Sequence, residues 1–457
     1  MATRVFVISD LHLGGGEGFQ MCSAAGRARL ARFIEWVAAQ KQEVADLWLV
    51  LNGDVVDFLA ETDDAGGFSA FNVDQAQAVR KLTRIAESCE DFFAALKKYV
   101  KTGAKLTVLL GNHDVELSLP AVRTEFLSRL GGGDVEFLYD NEAFSIGPVL
   151  IEHGNRYDDW NMVNHNQLRE IRSRLSRREA SRAFAAQPGS ELVAQLMNPL
   201  KKKFAFVDLL KPETGAVVPI LAVLNPTLWM KTAPALKRGV LAWHRGRFTE
   251  EGTPEQDDYV AGEVDSQHGQ PVPDLPETLS KPFAEATALI ADLPPASDEI
   301  SFVDDVAIPA LLEAFRRWRS SADLAFNINH EDGTYLEKAQ ILANRGFKVV
   351  IFGHTHHAKR IDLEGGAVYL NTGTWADLMR LPPSVYAGSQ AEGAKALKEF
   401  LQRVKANDIN AFRRQVATFA RIDLDARRKL EHAGTYFFDA DGKTSPISTQ
   451  GVEARLL

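Results

Sequence analysis

Short apolar runs, each closed by polar residues or glycine, alternate with longer amphipathic stretches through roughly the first 155 residues of the chain. Val5–Ser9, Leu47–Leu51, Lys105–Leu110 and Pro148–Glu152 are rich in leucine or β-branched residues, the mark of short buried strands. Between them, Ala25–Gln40 and Asp74–Tyr99 repeat their apolar residues at helical spacing and are long enough to form helices. Strands alternating with helices predict a largely parallel or mixed sheet with helices laid over it. In such sheets ligands collect at the carboxyl ends of the strands, where the loops begin.

The pattern changes between about 160 and 335. Asn161–Ala186 is Arg-rich and predicts a helix, which Pro188-Gly189 then breaks. Residues 201–248 hold nine Lys or Arg against two acids, interleaved with strongly apolar residues. Residues 249–305 reverse this, with 15 acids against one Lys and seven prolines, which predicts a long flexible loop. After Asn329 the α/β rhythm returns with a helix at Tyr335–Arg345, a strand at Lys348–Phe352, and strand-like runs at Ala358–Leu363 and Ala367–Leu370. The tail predicts one or two helices within Gln390–Phe419 and late strands at Thr418–Leu424 and Gly434–Phe438. The division that follows is a discontinuous core, 1–160 with 336–457, interrupted by a mostly helical cap at 161–335.

Composition narrows the class without naming it. The chain has 457 residues, 45% hydrophobic and 25% charged, and a net charge of -9, ordinary for a globular protein and not that of a nucleic-acid coat. Its two cysteines, Cys22 and Cys89, are too few for a disulfide scaffold. The N-terminus enters a buried strand at once, without a signal-peptide pattern. Ala216–Met230, the longest uncharged apolar run, contains Pro219 and Pro226 and is too short to span a bilayer. A cytoplasmic location is the expectation.

Chemistry gathers in five loops, each directly after an apolar run. In order they are Ser9-Asp10-Leu11-His12, Asn52-Gly53-Asp54-Val55-Val56-Asp57, Gly111-Asn112-His113-Asp114, Glu152-His153-Gly154-Asn155 and Gly353-His354-Thr355-His356. Carboxylate and amide oxygens mixed with imidazoles, and no thiolate, suit Mn²⁺, Zn²⁺, Fe and similar ions. In Asp10-Leu11-His12 and His354-Thr355-His356, an i, i+2 spacing in extended chain would turn both side chains to one side. Gly53, Gly111, Gly154 and Gly353 leave room for backbone to approach an ion or substrate closely.

The ordered set D-x-H, G-D-x-x-D, G-N-H-D, H-G and G-H-x-H resembles the calcineurin-like metallophosphoesterases, over roughly residues 4–160 and 345–380. The resemblance implies an α/β sandwich of two mixed sheets flanked by helices, with the cap inserted at about 161–335. It implies two divalent or transition-metal ions, Mn²⁺ first and Fe, Zn, Ni or Co as alternatives. Asp10, His12 and His356 would hold one ion, Asn112, His153 and His354 the other, and Asp54 would bridge them. It also implies hydrolysis of a phosphate ester, more readily a phosphodiester, through a metal-bridged hydroxide. His113 would face the scissile phosphate, with Asp114 behind it to fix its tautomer, and Asp57 would be a structural partner of its loop.

Other readings follow from smaller features. Arg156 and Asn161, just after His153, are candidate substrate contacts. His357 is expected to point elsewhere, Asn371 to be structural, and Gly14-Gly15-Gly16 to form a flexible loop beside the ions. His165, His244, His268, His330 and His432 are ordinary residues. The stretch 201–248 packs on the main domain as the core of a helical cap, forms an amphipathic lid with Lys201–Lys203 and Arg245–Arg247 against lipid headgroups, or meets a partner. Ile8-Ser9-Asp10-Leu11-His12-Leu13 and His153-Gly154 resemble the bacterial branch that includes UDP-2,3-diacylglucosamine pyrophosphatase, which makes a lipid-linked nucleotide pyrophosphatase the alternative. That enzyme is much shorter and usually has Arg where this chain has His113. A nuclease and a metal-free scaffold are the remaining classes; nucleic acid is not the expected partner, and every ligand position is filled.

Overall fold

The computed structural model describes residues 2–16, 18–211, 220, 308–317, 325–331 and 333–456. The predicted acidic loop 249–305 and most of 201–248 lie outside the described residues, as do His244, His268 and Arg245–Arg247.

Seven strands form the first sheet, in the order β12-β11-β10-β1-β2-β3-β4. They are β1 (Thr3–Ile8), β2 (Asp46–Asn52), β3 (Lys105–Leu109), β4 (Val135–Leu138), β10 (Thr418–Leu424), β11 (Leu430–Phe438) and β12 (Thr444–Pro446). β1 to β4 run parallel, and β10 to β12 add antiparallel strands at the β1 side. The second sheet has the order β5-β6-β7-β9-β8, built from β5 (Phe144–Ile146), β6 (Val149–Ile151), β7 (Val349–Phe352), β8 (Ala358–Asp362) and β9 (Val368–Thr372). Here β6, β7 and β9 are parallel and the two edge strands antiparallel, so both sheets are mixed.

Strand periodicity sorts the side chains into layers. Val5, Val7 and Val50 of the first sheet meet Ile151, Val349, Ile351 and Leu370 of the second in one buried cluster between them. Phe6, Ile8, Leu49 and Leu51 turn the other way, onto helices Ala24–Ala39, Gln75–Ser88 and Glu90–Lys101. On the outer face of the second sheet Val350, Phe352 and Tyr369 pack on helix Gly333–Asn344 through Tyr335, Ala339 and Leu342. The layering is α/β/β/α, the sandwich that the motif order implied.

Several boundaries differ from expectation, for local reasons. Asp74–Tyr99 is two helices, because Cys89 departs from helical geometry (φ -124°, ψ 35°) and Glu90 and Asp91 open a new acidic first turn. The helix expected over Asn161–Ala186 exists only as His165–Ser176. Asn164 caps its start by accepting from the Gln167 N–H, and Arg178 follows its end in a left-handed conformation (φ 60°). In the tail the helix Gln390–Lys405 stops well short of Phe419, which belongs to β10. β4, β5 and β12 have only three or four residues each and left no periodic signal.

A second apolar cluster changes the picture of the insert. Leu200, Phe206, Leu210, Ile308, Leu312 and Phe315 are buried together with Met379, Val385, Leu397, Phe400 and Val404. The backbone joins them too, since the Met379 N–H donates to Leu209 and the Lys211 N–H to Met379. The described ends of the insert therefore share one core with C-terminal helices that the sequence had grouped with the sandwich. Lys201 is only 4% exposed, with its ammonium on Asp208 and the Phe19 carbonyl, so it does not face a lipid headgroup. Among the described residues no helix is long and apolar enough to cross a membrane.

Candidate metal centre

All five polar loops leave the carboxyl ends of parallel strands: β1, β2 and β3 in one sheet, β6 and β7 in the other. Hydrogen bonds tie the sheets at this end. Asn52 Nδ2 donates to the Glu152 carbonyl at 2.9 Å, and the His354 N–H donates to Asp10 Oδ1 at 3.1 Å.

The backbone here is unusual. Asp10, His12, Asp54, His354 and His356 have φ of 54°, 46°, 51°, 67° and 62°, all left-handed. The i, i+2 pairs thus converge through left-handed turns, not through extended chain. Each such residue costs on the order of 1–2 kcal/mol, and strain of this kind persists where the surroundings impose it, often at functional sites. The neighbouring peptides show how it is imposed: the N–H groups of Leu11 and His12 both donate to the Asp54 carbonyl, at 2.9 and 3.0 Å.

Three groups of side chains bring possible ligand atoms within 4.8 Å of one another: Asp10, His12 and His356; His12, Asp54 and His113; and Asp54, His153 and His354. His153 Nε2 lies 3.2 Å and His12 Nε2 3.8 Å from Asp54 Oδ2, so this carboxylate stands between the outer groups. Asp10 Oδ1 lies 3.4 Å from His356 Nε2. Asn112 Oδ1 is buried and without a hydrogen-bond partner among the described residues. The other face of His153 is fixed, with Nδ1 2.7 Å from the Asn52 carbonyl. A buried amide oxygen without a partner is what a cation would satisfy.

Electrostatics agree. Burial alone would neutralise Asp10, yet His356 and His153 outweigh it and hold its pKa down at about 2. Asp54 is likewise held well below the usual carboxylate range against its burial, chiefly by His153 and His113. Burial opposes protonation of His153, but Asp54 lifts its pKa to about 10. Positive charge is thus favoured at this place. Burial and then Lys211 push His356 down to about 4, leaving the neutral imidazole that a metal requires.

Glycine is needed where the loops cross. A Cβ on Gly111 would fall on the Asp54 carboxylate, and one on Gly53 would come within 2.5 Å of His153 Nδ1. Gly111→Ala should therefore fold but displace Asp54. Its kcat should fall by roughly 10²-fold or more, as a misplacement of about 1 Å can do, with metal content measured alongside. Wild-type kinetics would show that the loop has slack.

The partner of His113 is a correction. Its Nδ1 lies 3.2 Å from Asp57 Oδ1, and Asp57 Oδ2 lies 3.3 Å from His12 Nδ1. Asp57, not Asp114, is the acceptor behind His113. Asp114 receives the N–H groups of Val55 and Gly111 at 2.8 and 2.7 Å, and so ties two loops together. Against its burial, Asp57 and then Asp54 raise the His113 pKa to about 9. Burial and Asp54 raise that of Asp114 to about 7.

Residues 3–204 match the sequence model of the calcineurin-like phosphoesterases. Over that segment, a little under half of its length, the chain is similar to the calcineurin-like phosphoesterase family. No curated protein matches it. That similarity implies a metal-dependent phosphoric ester hydrolase. Four of the five loops fall inside the matched segment. His354 and His356 lie beyond it, and the fold brings them onto the same spot.

The remaining candidates divide. Asn161 reaches the centre, its Oδ1 accepting from Asn112 Nδ2 at 3.3 Å. Arg156 is instead turned to Glu152, at 3.6 Å, and to the Tyr157 ring. Asn371 supports the calcineurin-like G-H-x-H loop, donating to the Gly353 carbonyl at 2.8 Å and Thr355 Oγ1 at 3.1 Å. His357 sets its ring edge-on to Phe326. The Gly14–Gly16 loop is tied down, with the Gly15 N–H donating to Glu61 at 2.7 Å. The sequence reading missed Asp158, whose Oδ2 lies 3.1 Å from His354 Nε2. Its only prior signal was its place five residues after His153.

Proposed function

We propose that the protein is a dinuclear metal-dependent phosphoesterase acting on a phosphodiester. The observation that carries this reading is the convergence of Asp10, His12, Asp54, His153, His354 and His356 in overlapping ligand groups, together with a buried Asn112 Oδ1 that has no partner among the described residues. Asp10, His12 and His356 would hold one ion, Asn112, His153 and His354 the other, with Asp54 shared. Bound there, divalent ions acidify water and neutralise charge on the phosphate oxygens. The chain's own residues do the rest. Asp57 keeps the Nδ1–H of His113 engaged, which directs Nε2 as the group that gives a proton to the leaving oxygen or steadies its charge. Asp114 and Gly111 fix the loop from which His113 projects. Substrate choice falls to the insert, whose described ends lie in the core shared with the C-terminal helices.

Protein purified without chelator should contain close to two transition-metal ions per chain by elemental analysis. With Mn²⁺ restored it should hydrolyse bis(p-nitrophenyl) phosphate faster than p-nitrophenyl phosphate. Fewer than one ion per chain, and no activity on adding Mn²⁺, would overturn the reading. Preference for the monoester would overturn only the diester assignment.

A further inference from the structure

Asp158 and Asn161 lie outside the ligand set, yet they join two of its members. Asp158 Oδ2 lies 3.1 Å from His354 Nε2 and accepts from Asn161 Nδ2 at 2.8 Å. Asn161 Oδ1 in turn accepts from Asn112 Nδ2 at 3.3 Å. His354 follows β7 and Asn112 follows β3, so this chain of four side chains spans from one sheet to the other.

Its direction is chemically determined. A carboxylate can only accept, so His354 must present N–H at Nε2, which leaves the lone pair on Nδ1. Asn112 spends its amide N–H on Asn161, which leaves Oδ1 turned away from that bond, buried and without a partner. Two other histidines of the centre are oriented in the same manner, His153 through the Asn52 carbonyl and His12 through Asp57. Asp158 is itself set in a turn, accepting from the Trp160 N–H at 3.0 Å. Asn161 has a backstop in the insert: a Cβ on Gly189 would strike its amide, and the Gly189 N–H donates to the Trp160 carbonyl at 2.8 Å.

We infer that Asp158 and Asn161 are positioning residues that set the affinity of one of the two ions, the one held by Asn112, His153 and His354, by orienting His354 and Asn112 together. Asn161 is then not a substrate contact, and Gly189 makes the insert a buttress of the metal centre. This rests on the two-ion reading above.

The test is a Mn²⁺ titration of chelator-stripped full-length protein, followed by the electron paramagnetic resonance signal of free Mn²⁺. Wild type should show two binding steps. Asp158→Asn should weaken one step by ~10–100-fold, the usual effect of removing a group that orients a metal ligand, and leave the other unchanged. Asn161→Ala and Gly189→Ala should weaken the same step, and Asp159→Ala, an exposed neighbour, neither step. A thermal melt of each apo variant checks the fold, and if Asp158→Asn does not fold, the two other variants decide. Unchanged steps in these variants, or equal weakening of both, would overturn the inference while leaving the two-ion reading intact. A wild type that takes up no Mn²⁺ would sink that reading and the inference with it.

Discussion

Asp54→Asn should all but abolish turnover, by at least ~10³-fold, the upper range for losing one preorganised charge in a closed site. The protein should also fall from two bound ions to one or none. Asparagine is the informative replacement because it separates two jobs. Asp54 Oδ1 accepts the His113 N–H at 2.8 Å, a bond that an amide oxygen can keep. What asparagine cannot keep is the negative charge that His153 and His12 both face, at 3.2 and 3.8 Å. Asp54 belongs to two of the three ligand groups, one with His12 and one with His153 and His354, whereas His356 belongs to one. Asp54→Asn should therefore exceed His356→Ala in loss of both metal and rate. Full metal content with near-normal turnover would show that Asp54 is not shared.

How far the sequence foretold this depends on the range of each interaction. Strands β1, β2, β3 and β7 were legible because each is an apolar run ended by polar residues, a signal within one window. The gathering of the five loops was legible because each follows such a strand, and parallel strands place their carboxyl ends together. What failed needed contacts between distant segments. Asp57 and Asp114 are both acids near His113, and only the folded crossing of the two loops decides that Asp57 reaches its Nδ1. Asp158 looked like any acid after a histidine until β7 brought His354 to within 3.1 Å of it. The run from Lys201 to Lys203 stayed open between cap core and a lipid-facing lid, because the burial of Lys201 depends on Phe19 and Asp208, the first of these nearly two hundred residues away in the chain. Which part of the chain the insert packs on was not legible for the same reason, since its apolar partners at 379–404 follow it in sequence and give no local sign of pairing.

Removing His113 should separate chemistry from metal holding. His113→Asn should retain two ions and lower kcat by ~10²–10⁴-fold, the range for a positioned acid or base. The loss should be greater for an alkoxide leaving group than for nitrophenolate, which departs without a proton. Asp57→Ala should reproduce much of this, because it leaves the His113 ring without the acceptor now 3.2 Å from Nδ1. It should also loosen one ion slightly, since Asp57 Oδ2 stands 3.3 Å from His12 Nδ1. The double variant should be little worse than the worse single one, as groups that act as a unit are strongly non-additive. Asp114→Asn makes the contrast. Its carboxylate holds the Gly111 and Val55 N–H groups, so its loss should disturb the loop and slow both kinds of leaving group alike. The rival outcome is equally definite, because His113 also lies in a possible ligand group with His12 and Asp54. If His113→Asn loses an ion, or slows nitrophenolate and alkoxide esters equally, His113 is a ligand and the proton must come from elsewhere.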